Sequence, residues 1–113
     1  MLQDYSAVIR TEHVVVAEEH GKVVGVLVLA ETHDGFLLDN VAVAPSRKGH
    51  GIGKVLLVHA EDEARARGHG SLYLYTNEKM TENLALYAKV GYVEYERRQG
   101  DGFCRVFLRK ALR

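Results

Sequence analysis

One segment in the middle of the chain restricts its fold more than any other. A β-type run ends at Val41 to Pro45, a basic glycine-rich turn follows at 46–54, and an amphipathic helical run continues to Arg67. The first N–H groups of such a helix have no partner within it, and the helix dipole adds positive charge there. Glycine lets the backbone approach a ligand closely. The segment therefore predicts a phosphate- or diphosphate-binding site in an α/β domain.

The residues before this segment predict a three-stranded antiparallel meander. β-branched and apolar runs at 14–19, 22–30 and 36–43 are separated by the turn signals His20-Gly21 and Asp34-Gly35. Gly25 lies inside the second run, where glycine usually marks a bulge or a close backbone approach. Residues 1–12 predict a short helix ending near Arg10 or Thr11, with an apolar stripe formed by Leu2, Tyr5, Ala7, Val8 and Ile9.

The residues after the turn predict a crossover and a closing hairpin. The helix at about 51–67 is followed by a strand at 71–75, which a βαβ crossover places parallel to the strand at 36–43. A second helix runs to about Val90, and strands follow at 92–97 and 103–109. The prediction is a single domain over 1–113 in the α/β (α+β) class. Its sheet is mixed and mostly antiparallel, with one parallel βαβ crossover and flanking helices.

Composition limits the possible partners and the compartment. Basic and acidic residues number 15 each, so the overall field does not favour nucleic acid or a membrane surface. No run is long and apolar enough to span a bilayer. Cys104 is the only cysteine, which excludes an internal disulfide and predicts a cytoplasmic location. The six histidines lack the spacing of a zinc site, so no metal is expected.

Three glycine-rich signatures compete for the turn. A Walker loop requires Ser or Thr after Gly53-Lys54 and a glycine at position 48, but Val55 and Lys48 stand there. A dinucleotide fingerprint requires its third glycine one residue later, and an acidic residue about twenty positions on. Both patterns fail.

The remaining pattern resembles the acyl-CoA-binding turn of the GNAT superfamily of N-acetyltransferases, Gln/Arg-x-x-Gly-x-Gly/Ala after a strand. Here Lys48-Gly49-His50-Gly51-Ile52-Gly53 follows Val43-Ala44-Pro45, with lysine in place of glutamine or arginine. The resemblance continues through the helix 80–87 to Gly91-Tyr92, whose Tyr-x-x-x-Gly-Tyr spacing is also typical of the family. It covers the chain from about residue 13 to the C-terminus.

The resemblance implies acetyl-CoA as acyl donor and a small-molecule or peptide amine as acceptor. Tyr87 matches the general acid that protonates the departing thiolate, and Asp39 is the candidate base, with Glu31 and His33 behind it. The coenzyme-binding residues implied are Val41, Ala42, Val43, Lys48, Gly49, His50, Gly51, Ile52, Gly53, Lys54 and Asn83. Two simpler interpretations stay open, since Tyr87 also suits a helix core and Asp39 also suits a strand end.

The resemblance also implies that the family's usual first strand and first helix are absent here, with 1–12 as a remnant helix. The strand at Val14 to Ala17 is then an unpaired sheet edge, which predicts a homodimer through that edge. A longer natural chain upstream of Met1 is the alternative. Two other functions stay open at this point: a non-catalytic acyl-CoA-binding regulatory module without a complete acceptor pocket, and a small nucleotide-binding regulator.

Overall fold

Seven strands, two α-helices and a one-turn 3-10 helix make up residues 2–6 and 12–112, which this computed structural model describes. The strands are β1 Leu2–Ser6, β2 Glu12–Glu19, β3 Lys22–Thr32, β4 Gly35–Val43, β5 Ser71–Asn77, β6 Val93–Gln99 and β7 Cys104–Ala111. The helices are α1 Ile52–Ala66 and α2 Thr81–Lys89, and the 3-10 helix is Pro45–Arg47.

All strands lie in one sheet in the order β1-β2-β3-β4-β5-β7-β6. Every neighbouring pair is antiparallel except β4 and β5, which α1 connects as a crossover, so the predicted fold class is confirmed. The parallel pairing covers only Phe36 opposite Leu72 and Leu37 opposite Tyr73. Beyond these pairs β4 and β5 diverge, and a gap opens in the middle of the sheet.

The main core lies between one face of the sheet, here called the first face, and the two helices. Buried side chains on α1 pack against the central strands, and α2 contributes Tyr87 to the same cluster. The α1 residues are Leu56, Leu57, Ala60 and Ala64. Burying each leucine stabilises the fold by about 1.5–3 kcal/mol. The apolar spacing of the 52–66 run predicted this face of α1.

Gly25 allows α1 to approach the sheet closely, as its position within a strand pattern predicted. A Cβ at this position would lie 2.9 Å from Leu56 Cδ1 and 3.0 Å from Ile52 Cγ2. Any larger residue would therefore push the first turns of α1 away from β3. Since those turns carry the glycine-rich segment, this contact positions the candidate site.

The opposite face of the sheet, here called the second face, holds a smaller buried cluster of Ala30, Leu37, Tyr73 and Phe107. Side chains alternate between the two faces along each strand, so these residues point away from α1 and α2. The Tyr73 hydroxyl lies 2.6 Å from Thr32 Oγ1, which satisfies both groups. All described helical residues in a buried cluster belong to the first face.

The prediction of a helix over 1–12 is wrong for residues 2–6. These form β1, which pairs antiparallel with β2 from Leu2 opposite Ala17 to Ser6 opposite His13. Residues 1 and 7–11, where the rest of that prediction falls, lie outside the described residues. A strand is favoured here because the pairing satisfies backbone groups on β2 that an isolated five-residue helix would leave open.

Two further expectations about this end of the chain change with β1. The strand expected to be absent is present, and the edge at Val14 to Ala17 is paired on both sides, by β1 and by β3. The argument for a homodimer through that edge therefore no longer holds. No helix within the described part of the chain is both long and apolar enough to cross a membrane.

Candidate functional site

The turn before α1 has the geometry of an anion site. Gly49 and Gly51 have φ values of 85° and 81°, in the left-handed region that favours glycine. Gly51 is the N-cap of α1, and the first hydrogen bond into the helix runs from the Val55 N–H to the Gly51 carbonyl at 3.1 Å. Within the described chain, the N–H groups of residues 52–54 have no acceptor. Three donors at the positive end of the helix dipole are thus open to a ligand.

The basic side chains of the turn differ in how they are engaged. Arg47 Nε lies 2.9 Å from Glu19 Oε1, so this ion pair partly neutralises its charge. Lys48 and Lys54 form no ion pair with any described residue, and both are exposed. Their two charges therefore add to the positive potential at the open amides.

A cleft of about 1060 Å3 lies on the first face beside the turn. Its walls come from the end of β4, the turn, α1, α2 and the end of β7. The predicted coenzyme-binding residues that line it are Val41, Ala42, Val43, Lys48, Gly49, Gly51, Ile52, Gly53 and Lys54. This volume is at the upper end of the range for sites that hold an extended small molecule.

His50 does not face this cleft. It lines a separate cavity of about 180 Å3 near the ends of β2 and β3. Its N–H donates to the Arg47 carbonyl at 3.2 Å, so this amide is engaged within the turn.

A β-bulge in β4 determines which residues face the cleft. Leu38 pairs with Leu29 and Asn40 pairs with Val28, which leaves Asp39 as the extra residue. The bulge shifts the alternation of side chains by one, so that Val41 and Val43 pack against the first-face cluster. Asp39 itself is exposed, does not line the cleft, and lies where β4 separates from β5.

Tyr87 lies on the same side of the sheet as the cleft. It is 9% exposed and belongs to the cluster against which Val41 and Val43 pack. Its ring meets Tyr92 edge-on, with 5.7 Å between centroids, and burial raises the pKa of its hydroxyl. Neither Tyr87 nor Asn83 lines the cleft, but other residues of the same turns of α2 and its C-cap do: Leu86, Lys89 and Val90.

The structure adds an ion pair that sequence reasoning missed. Lys110 Nζ lies 2.8 Å from Glu61 Oε2, joining β7 to α1, and both residues line the cleft. Lys89 of α2 lines the same end. These residues are far apart in the sequence, and only the position of β7 beside β5 brings them together. No local pattern could have identified them.

The other two groups considered as bases lie away from the cleft. Glu31 pairs with Phe36 at the beginning of β4, and its carboxylate lies 2.8 Å from His69 Nε2. His33 is exposed between β3 and β4. Among residues 2–6 and 12–112, no group of three or more His, Cys, Asp or Glu residues is arranged to hold a metal ion.

The Tyr92 side chain, which packs against Tyr87, buries an unsatisfied hydroxyl. It is 3% exposed, and its hydroxyl is the one buried side-chain polar atom of the described chain without a hydrogen-bond partner. Burial raises the pKa of this phenol, with a further contribution from the Glu61 carboxylate. An unsatisfied buried hydroxyl costs about 1–3 kcal/mol.

Tyr92→Phe is therefore expected to raise the free energy of unfolding at neutral pH by about 1 kcal/mol. The raised pKa values of Tyr87 and Tyr92 mean that the unfolded state releases these protons first as the pH rises. The contribution of the two tyrosines to the free energy of unfolding is thus fully present below about pH 10 and is lost above it. Tyr92→Phe should make this alkaline loss of stability shallower. Denaturant titrations between pH 7 and 11 measure both effects. Tyr95→Phe is the exposed control, and an equal gain there would contradict the explanation.

Comparison with known proteins agrees with this geometry. The acetyltransferase (GNAT) domain family matches residues 10–94. An IAA acetyltransferase of Azospirillum brasilense is 38% identical over 81 residues, 70% of this chain and 53% of that protein. The solved IAA acetyltransferase from Bacillus cereus ATCC 14579 is 31% identical with a TM-score of 0.77, covering 90% of this chain and 79% of that one.

A GNAT family acetyltransferase from Elizabethkingia anophelis, solved with acetyl-CoA bound, has a TM-score of 0.82. The likeness covers 99% of this chain and 97% of that one at 18% identity, and it shows the fold alone. The chain spans about half the length, or less, of the curated relatives it matches.

Proposed function

The chain belongs to the GNAT acetyltransferase family, and on that premise we propose that it transfers an acetyl group from acetyl-CoA to a primary amine. The observation that carries the proposal is the set of open amides at residues 52–54, which border a cleft of about 1060 Å3. In this arrangement the diphosphate of the coenzyme accepts hydrogen bonds from these amides. Lys48 and Lys54 offset its charge.

The acyl arm of the donor is proposed to follow β4 towards the gap in the sheet. Beyond Leu37 the edge of β4 has no pairing with β5, so backbone groups near Val41 and Val43 are available to the amides of the arm. The same edge offers an N–H near Val43 to the carbonyl oxygen of the thioester. Such a donor is typically worth about 3 kcal/mol in the transition state. Asn83 is proposed to lie near the arm from α2.

The reaction requires two proton transfers. The neutral amine attacks the acetyl carbon, a C–N bond forms, and the C–S bond breaks. Tyr87 is proposed to donate its proton to the departing thiolate, whose thiol has a pKa of about 8.5. Burial raises the pKa of Tyr87, so the phenol holds its proton at neutral pH. Asp39, exposed at the point where β4 leaves β5, is proposed to take the amine proton directly or through water.

The acceptor is proposed to be a small-molecule or peptide amine in the cytoplasm. The single cysteine of the sequence, Cys104, is the basis for proposing a reducing compartment. Two relatives support a small-molecule or peptide acceptor, since one is named for streptothricin and another for the alanine of ribosomal protein bS18.

The test separates this proposal from a CoA-binding module without activity and from a nucleotide-binding regulator. CoA at about 100 times its Kd should stabilise the protein by about 2.7 kcal/mol against unfolding, and ATP and NAD should not. Thiol release from acetyl-CoA, followed with a panel of primary amines, should then exceed the rate without amine. Stabilisation by CoA without amine-dependent release would favour the inactive module. Stabilisation by ATP or NAD instead of CoA would favour the regulator.

A further inference from the structure

The second face of the sheet carries a row of arginines stacked on aromatic rings. Arg98 lies over Phe107 at 4.6 Å, and Arg109 lies over Tyr73 and Tyr95 at 5.3 and 5.1 Å. Arg105 lies over Tyr75 at 5.3 Å and over Phe103 at 5.4 Å. A guanidinium over an aromatic ring is held there by cation–π attraction, and its N–H groups can still donate hydrogen bonds.

The guanidinium groups of these arginines differ in their hydrogen bonds and ion pairs. Arg98 is paired with Glu96, and Arg109 donates to Ser71 Oγ at 2.9 Å and to the Asp34 carbonyl at 3.4 Å. The guanidinium of Arg105 has no hydrogen bond or ion pair with any residue in the described ranges, and the residue is exposed. Its orientation is thus fixed by two rings while its five donors have no protein acceptor.

Arg105 lies on β7, one strand away from the gap in the sheet. It pairs with Asn77, the last residue of β5, and β5 has already separated from β4 after Tyr73. The cleft lies on the first face beside the end of β4, so we expect a second substrate to reach the reacting centre from the second face. Tyr75, 39% exposed, lies between the gap and Arg105 on that face.

We propose that Arg105, stacked on Tyr75 and Phe103, binds a carboxylate on the acceptor, so that the preferred acceptors carry an acidic group as well as the primary amine. A guanidinium presents parallel donors that match the two oxygens of a carboxylate. Balanced total charge gives the protein no extended positive field, which favours one local anionic group over a polyanion. This inference rests on the proposed acetyl transfer and defines the class of its acceptor.

Matched acceptors and matched variants test it in the full chain. The free amino acid 4-aminobutyrate is compared with 4-aminobutyramide, and the peptide Gly-Glu-amide with Gly-Gln-amide, by thiol release from acetyl-CoA. The wild type should show a kcat/KM on the order of 10- to 100-fold higher for the acid in at least one pair. Arg105→Gln should reduce that ratio to about one, while the Kd for CoA stays unchanged. Arg98→Gln, stacked on the same face but already paired with Glu96, should keep the ratio.

The outcomes have distinct meanings. Preference within the amino-acid pair identifies a free amino acid as the source of the carboxylate, and preference within the peptide pair identifies an acidic peptide. Equal use of acid and amide by the wild type, or an unchanged ratio in Arg105→Gln, overturns the inference while leaving acetyl transfer intact. CoA binding without turnover of any amine overturns the proposed function and this inference together.

Discussion

Tyr87→Phe is expected to lower kcat for acetyl transfer by about 10²- to 10⁴-fold, the usual contribution of a positioned general acid. The Kd for CoA should change little, because the ring remains and the hydroxyl is proposed to act only on the leaving sulfur. Steady-state thiol release and calorimetric CoA binding measure the two quantities separately. The folded structure should persist, since the substitution removes one oxygen from a buried ring.

Tyr92→Phe is the matched control for this experiment. Both phenols are buried on the same side of the sheet, and their rings meet edge-on. Tyr92 is separated from α2 by Val90 and Gly91 and is not assigned a role in the reaction. Loss of activity in Tyr87→Phe with full activity in Tyr92→Phe would support a chemical role. Full activity in Tyr87→Phe would show that its hydroxyl only packs, the simpler interpretation of a tyrosine on an amphipathic helix.

The parts of the structure that sequence predicted are those encoded by local pattern. Three features could be predicted from neighbouring residues alone: the turn glycines, the apolar spacing of α1 and the glycine within β3. Each depends on the backbone conformation or the packing face of a short segment, so the rest of the fold is not needed to predict it. Gly51 needs positive φ as the N-cap of α1, and Gly25 needs space for Leu56. The position of the cleft beside the turn follows from these few residues.

The parts that sequence did not predict depend on contacts between distant residues. The five residues of β1 have too little pattern to separate strand from helix, and they are a strand because β2 is there to pair with. The bulge at Asp39 is visible only in the register between β3 and β4. Similarly, Lys110 reaches Glu61 only because β7 inserts between β5 and β6.

These distant contacts decide which predicted site residues share the cleft. The bulge moves Val41 and Val43 to the first face, and it leaves Asp39 at the gap, outside the lining. The cleft proposed to hold the donor and the residue proposed as the base are therefore neighbours along β4, but Asp39 lies outside the cleft lining. We propose that the two substrates arrive from opposite faces of the sheet, and Arg105 on the second face is then proposed to lie on the acceptor side.

Gly53→Leu is expected to weaken CoA binding by about 10²- to 10⁴-fold, because the new side chain would occupy the space where the diphosphate is proposed to meet the open amides. Losing two or more hydrogen bonds to a charged group, each worth about 1.5–3 kcal/mol, accounts for an effect of this size. A Cβ at position 53 would lie 3.5 Å from Val43 Cγ2, an ordinary contact, so the backbone itself tolerates a side chain there.

Gly53→Ala is the control that distinguishes a filled cleft from a destabilised fold as the cause of weaker CoA binding. Alanine adds only that tolerated Cβ to the first turn of a helix, where it has a higher helix propensity than glycine, so its Kd for CoA should stay within about threefold of the wild type. Calorimetric titration of CoA into both variants, with denaturant unfolding as the check on stability, makes the comparison. If leucine and alanine bound CoA equally well, the diphosphate would have to lie elsewhere, and the amides at 52–54 would not be its site.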